Sequence, residues 1–366
     1  MDSDRFKHLV DARGPYASVY FDDSHDTADA DAQLDVKLRD LRSELADKGA
    51  DPAIGERLVE AVRGSPCPVG KSGRALIIEA EEVLFDQHLA RPIPVPIVRV
   101  STLPYLVPVI QYGYDQPAFA VVAVDHAGGD IEIHHDGRIR KETVDGTGYP
   151  VHKASGAETP GYGHPQRVAD NARRKNVSEV ADRVTALTDE IPVDVVFIVG
   201  EVKSRKDLLS ELPERVADRS VELAVGARTD IDEDQLHQAI SEEFDRRHRA
   251  EIDAAAERLT AELGRQSGLA AEGLDGVTAA LRVGAVETLI IGDMGDATVV
   301  AGDELATVSP SPEVLSQLGC VSSTRVLRAD EALPMAAVAF GASLLPAADE
   351  LTLADGVGAI RRFSIP

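Results

Sequence analysis

The sequence of 366 residues is long enough for two or three domains, and its 43% hydrophobic content excludes a chain that is disordered throughout. The 63 acidic residues outnumber the 38 basic ones and give a net charge of −25, which excludes DNA binding by a uniformly basic surface. The two cysteines, Cys67 and Cys320, lie far apart, so we expect no disulfide framework, no metal site and a reducing, cytoplasmic location. The first residues lack the order of a secretory signal and the longest apolar stretch is short, so we expect no membrane association.

The first predicted domain covers residues 1–117. Apolar runs and spacings predict its elements, a strand at 17–21, helices at 34–45 and 54–62, and a strand at 75–78. The proline-rich stretch 91–108 is interpreted as edge strands, because proline breaks a helix interior.

The second predicted domain covers residues 118–228 and the third covers 229–366. Their predicted elements alternate between strands and helices, with strands at 118–124, 131–134, 193–199, 286–291 and 297–300, a helix from 167 toward 187, a long helix through 244–263 and a helix at 334–345. A last strand is predicted near residue 360. This alternation indicates a mixed α/β (α/β and α+β) fold in three small domains. From residue 229 onward, 24 acidic residues stand against 10 basic ones, which gives this part a charge of −14.

Two short motifs fail as binding sites. Gly70-Lys71-Ser72 resembles the end of a phosphate-binding loop, but the required earlier glycine is displaced by one position and a strand, not a helix, is predicted to follow. The pair His134-His135 lies on a predicted strand, where adjacent side chains point to opposite faces and cannot converge on a metal ion. We therefore predict neither a cofactor nor a metal.

The long loop at 146–167 is the unusual feature of the second domain, because structureless loops of this length in compact domains are usually functional. Between Arg138 and Lys175 there are eight basic residues and four acidic ones, so this stretch is positive within an acidic chain. A basic, glycine-containing tip with histidine and tyrosine rings suits contact with a phosphate backbone and stacking on bases. The alternative interpretation is an ordinary surface loop beside a solvated helix.

The chain resembles the archaeo-eukaryotic peptide-chain release factor/Pelota superfamily, in particular bacterial members that act as ribosome hibernation factors of the Balon type. The segments that carry the resemblance are a hairpin from Phe119 to Ile133, the strand 195–200, the stretch 280–291 and the glycine-containing end 356–363. The resemblance implies an RNase H-like middle domain and a C-terminal domain like ribosomal protein L7Ae.

Release factors of this superfamily carry Gly-Gly-Gln at the middle-domain tip, where the glutamine positions a water molecule for hydrolysis of peptidyl-tRNA. Aligning the following helix places Gln166 at the glutamine and His164 and Pro165 at the two glycines. Histidine and proline cannot adopt the backbone geometries open to glycine, and proline lacks an N–H group. The tip is therefore interpreted as degenerate and non-catalytic. The first domain also lacks the Asn-Ile-Lys-Ser loop with which release factors read stop codons.

The resemblance implies a non-catalytic ribosome-binding translation factor in the A site, active in hibernation or stress. Its first domain would face the decoding centre, its tip the peptidyl-transferase centre, and its third domain a translational GTPase. The residues predicted to contact ribosomal RNA are His152, Lys153, Tyr162, Gly163, His164, Gln166, Arg167, Arg173, Arg174 and Lys175. Two alternatives stay open. The protein could hydrolyse peptidyl-tRNA on stalled ribosomes with Gln166, or it could be an RNA-binding or nuclease module away from the ribosome, with Asp125, Asp130 and Asp136 as carboxylates.

Overall fold

A computed structural model describes residues 1–10, 14–25, 29–65, 71–80, 82–114, 117–135, 138–147, 165–302, 307–317 and 324–365, without the side chains of 165–169. The chain divides into two compact units, residues 1–115 together with 248–366, and residues 116–247. The mixed α/β class is confirmed, since helices and four sheets occur among the described residues. The division into three domains, with boundaries at 117 and 228, stays a prediction.

The N-terminal part of the first unit is an antiparallel sheet with two helices on one face. After a 3-10 helix at Ser3–Leu9, its elements are β1 (Tyr16–Asp22), α1 (Ala30–Asp47), α2 (Pro52–Gly64), β2 (Gly73–Glu79), β3 (Glu82–Leu89), β4 (Ile97–Ser101) and α3 (Val107–Tyr112). The strand order is β3-β2-β1-β4. Asp51 caps α2 by accepting a hydrogen bond from the Ala53 N–H at 2.9 Å. As predicted, a strand follows Ser72.

The proline-rich stretch contains one helix that the sequence analysis did not predict. β4 is the expected edge strand, but α3 begins at Val107 and includes Pro108. Proline is tolerated there because the amides of the first helical turn have no partner within the helix. The interpretation of the whole stretch as strands was therefore wrong at its end.

The second unit is built on a five-stranded mixed sheet. Its elements are β5 (Phe119–Val124), β6 (Gly128–His135), β7 (Arg138–Asp145), α4 (Pro165–Glu190), β8 (Val195–Gly200), α5 (Val202–Glu211), α6 (Glu214–Ala217) and β9 (Ser220–Glu222). The order is β7-β6-β5-β8-β9, antiparallel from β7 to β5 and parallel from β5 to β9. Val177, Val180 and Val184 recur at helical spacing on α4 and are buried in the core of this unit with Val122 and Ile198.

The C-terminal part of the chain begins with the long helix α7 (Glu233–Arg265), which contains the boundary between the units. The elements that follow are β10 (Ala270–Glu272), α8 (Gly273–Arg282), β11 (Val286–Ile291), β12 (Thr298–Ala301), β13 (Val308–Ser309), α9 (Pro312–Gln317), β14 (Arg325–Arg328), α10 (Ala329–Ala339), β15 (Ser343–Pro346) and, after a 3-10 turn, β16 (Val357–Arg361). They form two sheets, in the orders β10-β16-β11-β15 and β13-β12-β14.

The first and last parts of the chain share one core within the first unit. Phe6 and Ile110 belong to the same buried cluster as Leu333 and Leu281. The Leu344 N–H also donates to the Met1 carbonyl at 3.0 Å. Segments more than two hundred positions apart in sequence therefore depend on each other for burial of their apolar side chains.

Among the residues that the structure describes, no helix combines the length and the apolar character needed to cross a bilayer.

Candidate nucleic-acid interface

The base of the long loop is attached to α4 by side chains of that helix. The Glu179 carboxylate accepts hydrogen bonds from the Thr147 N–H at 2.8 Å and from the Thr147 hydroxyl. Both bonds lower the pKa of Glu179, with the hydroxyl as the larger cause. The buried Asn176 donates from Nδ2 to the His126 carbonyl at 3.0 Å. The loop therefore leaves the sheet beside the middle of α4, in a position that the helix determines.

Gly146 is required at this point by the close approach of α4. A Cβ atom on Gly146 would lie 2.1 Å from Asn176 Cγ and 2.6 Å from the Ala127 carbonyl oxygen. The Gly146 N–H donates to that same carbonyl at 2.8 Å. Only a residue without a side chain fits between the helix and the turn, which explains the glycine that opens the loop.

Most of the predicted RNA-contact residues lie outside the described part of the chain. These are His152, Lys153, Tyr162, Gly163 and His164. Pro165 is the first residue of α4, and Gln166 and Arg167 follow it within the first turn, although their side chains are not described. The structure therefore neither supports nor contradicts contacts from these residues.

The consecutive cations Arg173, Arg174 and Lys175 of α4 differ in how accessible they are. Arg173 is 17% exposed, donates from Nη2 to the Ser204 hydroxyl at 3.2 Å and lies 3.3 Å from the Asp207 carboxylate. Its guanidinium thus holds α4 against α5. Lys175 is 61% exposed, with its Nζ 3.9 Å from Glu179, and Arg174 is exposed without an ion pair to any described residue. Of the three predicted residues, Arg174 and Lys175 are free to meet a phosphate and Arg173 is mainly structural.

Two further cations lie on α5 next to the residues that Arg173 contacts, and the sequence did not reveal them. Lys203 and Lys206 are exposed on the first turns of α5 and have no ion pair within the described chain. They flank Ser204 and Asp207, the two residues that Arg173 contacts. Their spacing of three residues on a helix is the signal that could have revealed them. We refer to Arg174, Lys175, Lys203 and Lys206 as the basic surface.

The comparisons with known proteins identify the family. A model described as bacterial archaeo-eukaryotic release factor family 2 matches residues 118–265. Two uncharacterized proteins of Mycobacterium tuberculosis, MT2704 of strain CDC 1551 and Rv2629 of strain H37Rv, are 47% identical over 365 residues, which cover 100% of this chain and 97% of each relative. The chain belongs to the bacterial branch of the archaeo-eukaryotic release factor superfamily.

Solved structures that are similar over most of the chain have low sequence identity. An archaeal translation termination factor, aRF1, is 14% identical, with 98% of this chain and 95% of that chain covered and a TM-score of 0.26. Archaeoglobus fulgidus Pelota is 12% identical, with 99% and 92% covered and a TM-score of 0.39. A ribosome-bound archaeal Pelota with ABCE1 is 14% identical, with 99% and 93% covered and a TM-score of 0.42. The assignment to the release factor superfamily therefore rests on the sequence matches.

Two of the three carboxylates considered for a nuclease, Asp125 and Asp130, are engaged by one arginine. Arg228 donates from Nε to Asp130 at 2.7 Å and from Nη1 to Asp125 at 3.3 Å. The hydrogen bond from Arg228 is the main cause that lowers the pKa of Asp130. Asp125 also accepts two amide bonds from the turn that follows it. Asp136 lies outside the described residues, among which no group of three potential metal ligands occurs.

Proposed function

We propose that this protein is a cytoplasmic, non-catalytic translation factor that binds the ribosome in the A site and acts in hibernation or stress. Membership in the release factor superfamily supports ribosome binding. The matched family region, residues 118–265, contains both the tip loop and the basic surface. No cofactor takes part in this proposal.

The observation that carries the non-catalytic part is the position of Gln166. In the sequence, His164 and Pro165 stand where release factors have two glycines. In the structure, α4 begins at Pro165, so the Gln166 backbone is helical. Proline fixes φ near −65° at the start of a helix and removes an amide donor. A catalytic glutamine must approach the tRNA end on a backbone that places a water molecule in line with the ester. The Pro165–Gln166 backbone is poorly suited to that task.

The distribution of charge supports an orientation on the ribosome. The basic surface lies on α4 and α5, near the base of the tip loop, where phosphate contacts would hold the loop toward the peptidyl-transferase centre. The third predicted domain, residues 229–366, has a charge of −14 and would be repelled by RNA. We infer that it faces protein, with a translational GTPase as the partner. The first domain would then lie toward the decoding centre.

A second candidate function is hydrolysis of peptidyl-tRNA on stalled ribosomes, which the retained Gln166 favours. The two functions are separated by adding the purified protein to ribosomes that carry labelled peptidyl-tRNA. We expect no release above background from the unmodified protein. Release that is abolished by Gln166→Ala would make the protein an enzyme and would overturn the non-catalytic proposal.

Ribosome binding itself is tested by sedimentation with 70S ribosomes through a sucrose gradient. We expect the protein to travel with the ribosomes and to be displaced by a tRNA bound in the A site. A protein that remains at the top of the gradient would instead favour a module that acts away from the ribosome.

A further inference from the structure

A groove of about 530 Å³ runs between the edge of the second sheet and α4. It is lined by Glu142, Thr143, Val144 and Asp145 of β7 and by Glu179, Asp182, Arg183 and Ala186 of α4. The α4 residues lie at intervals of three and four, so they form one stripe along the helix. The groove therefore has one wall of helix and one of strand, and we call it the β7 groove.

The strand wall of the β7 groove presents unpaired backbone groups. β7 is the last strand of the sheet, and its other edge pairs with no described strand. The Gly146 N–H bonds the Ala127 carbonyl, which continues the ladder between β6 and β7. Because hydrogen bonding alternates in an antiparallel ladder, the backbones of Lys141, Thr143 and Asp145 point away from β6. These groups are a template on which an extended chain can form a further strand.

The charge of the β7 groove selects the kind of chain that fits. The residues that line it include four acidic ones, Glu142, Asp145, Glu179 and Asp182, and one arginine, Arg183. Because side chains alternate along a strand, Asp145 shares the face of Thr143, opposite α4, whereas Asp182 lies on α4 itself. Arg183 donates to Glu142 at 2.7 Å, which is the main cause that lowers the pKa of Glu142. Asp145 and Asp182 are exposed and make no ion pair within the described chain. Of the cations nearby, Arg140 is engaged by Glu142 and Glu190, whereas Lys175 is exposed and lies 3.9 Å from Glu179. A positively charged occupant of the groove therefore gains contacts with Asp145 and Asp182.

We propose that the β7 groove binds an extended, lysine- or arginine-rich polypeptide segment, which pairs with β7 as a sixth strand of the five-stranded sheet. Main-chain hydrogen bonds to the outward groups of β7 supply affinity, as in other complexes formed by strand addition. Side chains of an added strand alternate between the two faces of the sheet, so its cations can contact Asp182 on the α4 face and Asp145 on the other face, which supplies selectivity. The small Ala186 leaves space along the helix for the side chains of the added strand. This inference goes beyond the proposed function and does not depend on it.

The charge requirement is tested with the full chain and a fluorescent lysine–valine octapeptide in which pairs of lysines alternate with pairs of valines, so that an added strand carries lysines on both faces. The measurement is made without ribosomes, and the control probe is an octapeptide with glutamate in place of each lysine. Replacing Asp145→Asn and Asp182→Asn together should weaken binding in fluorescence anisotropy by about 2- to 30-fold, the range for two surface ion pairs. The matched control is Glu211→Gln with Asp218→Asn, which removes two exposed carboxylates from the same unit. Neither residue lines the groove, so the affinity for the lysine–valine peptide should stay within about twofold of that of the unmodified protein. Equal loss in both double variants, or equal binding of the two probes, would overturn the proposal.

Strand pairing is tested at Thr143, whose N–H points outward. Thr143→Pro removes that donor, whereas Thr143→Val keeps it, and both lose the side-chain bond to Asp130. We expect the proline variant to bind the lysine–valine peptide at least about tenfold more weakly than the valine variant, because the proline ring also blocks the edge. Amide hydrogen exchange on the unmodified protein gives an independent readout if the proline variant fails to fold. The peptide should protect the amides of Lys141, Thr143 and Asp145. Peptide binding that leaves these amides unprotected would contradict strand addition.

Discussion

Removing the two available cations of α4 should weaken ribosome binding in a salt-dependent way. The variant is Arg174→Gln with Lys175→Gln, and Arg173 is kept because its bonds to α5 hold the two helices together. Removal of one phosphate contact should reduce the slope of log K against log salt by about 0.7 to 0.9, so removal of two should reduce it by about 1.4 to 1.8. If the variant and the unmodified protein bind equally well at 1 M salt, this difference in slope makes the variant about 15- to 30-fold weaker at 0.15 M salt.

The assay is co-sedimentation with 70S ribosomes at a series of salt concentrations. The matched control is Arg246→Gln with Arg265→Gln, two exposed α7 arginines that each bond a glutamate three residues earlier. This control also removes two positive charges, but from residues 229–366, which we propose to face protein and not RNA. We expect the control to keep both the affinity and the salt slope of the unmodified protein. An Arg174/Lys175 variant that binds with unchanged affinity and slope, while its circular dichroism is that of the unmodified protein, would refute the assignment of these residues to RNA contact.

The remaining predictions concern the stability of the site and of the first unit. Gly146→Ala should lower the melting temperature by several degrees, because the new Cβ would lie 2.1 Å from Asn176 Cγ. A variant with the melting temperature of the unmodified protein would contradict the close contact between residue 146 and α4. Arg228→Met should reduce the free energy of unfolding at pH 7 by about 1 to 2 kcal/mol. This is less than for a fully buried ion pair, because Asp130 is 44% exposed and solvent screens its charge. Arg228 lowers the pKa of Asp130 in the folded state, so the stabilisation by this ion pair is fully present above the unfolded-state pKa, which is near 4. It is lost as the pH falls through the lower pKa of the folded state. In urea denaturation, the stability difference between the variant and the unmodified protein should therefore be smaller at about pH 3 than at pH 7. Arg99→Met should cost about 3 kcal/mol, because it leaves the Glu331 carboxylate, which is 4% exposed and 3.2 Å from the guanidinium, without that partner. Adding Glu331→Gln should restore part of this loss, and a double variant as unstable as the sum of the single variants would contradict the coupling.

The buried strands were predictable because each is a continuous apolar run. β1, β2, β5, β8 and β11 all lie where such runs occur, since strands covered on both faces have no polar alternation. β7 was missed because it carries Arg138, Arg140, Lys141 and Glu142 on a sheet edge, where charged side chains hide the alternation.

The arrangement of the candidate site could be predicted only in part. The positive charge of the stretch 138–175 is a property of composition and was visible in the sequence. The partner of Arg173 was not, because Ser204 and Asp207 lie on another helix and tertiary contacts leave no local pattern. The same reason applies to Arg99, whose ion pairs with Asp330 and Glu331 join segments more than two hundred positions apart.

A cryo-EM map of this protein bound to 70S ribosomes would show directly whether it occupies the A site. We expect density in the A site, with residues 148–164 directed to the peptidyl-transferase centre, the basic surface against ribosomal RNA and the peptidyl-tRNA ester intact. Density at any other site, or an A-site complex in which the third domain contacts RNA while Arg174 and Lys175 face solvent, would contradict it.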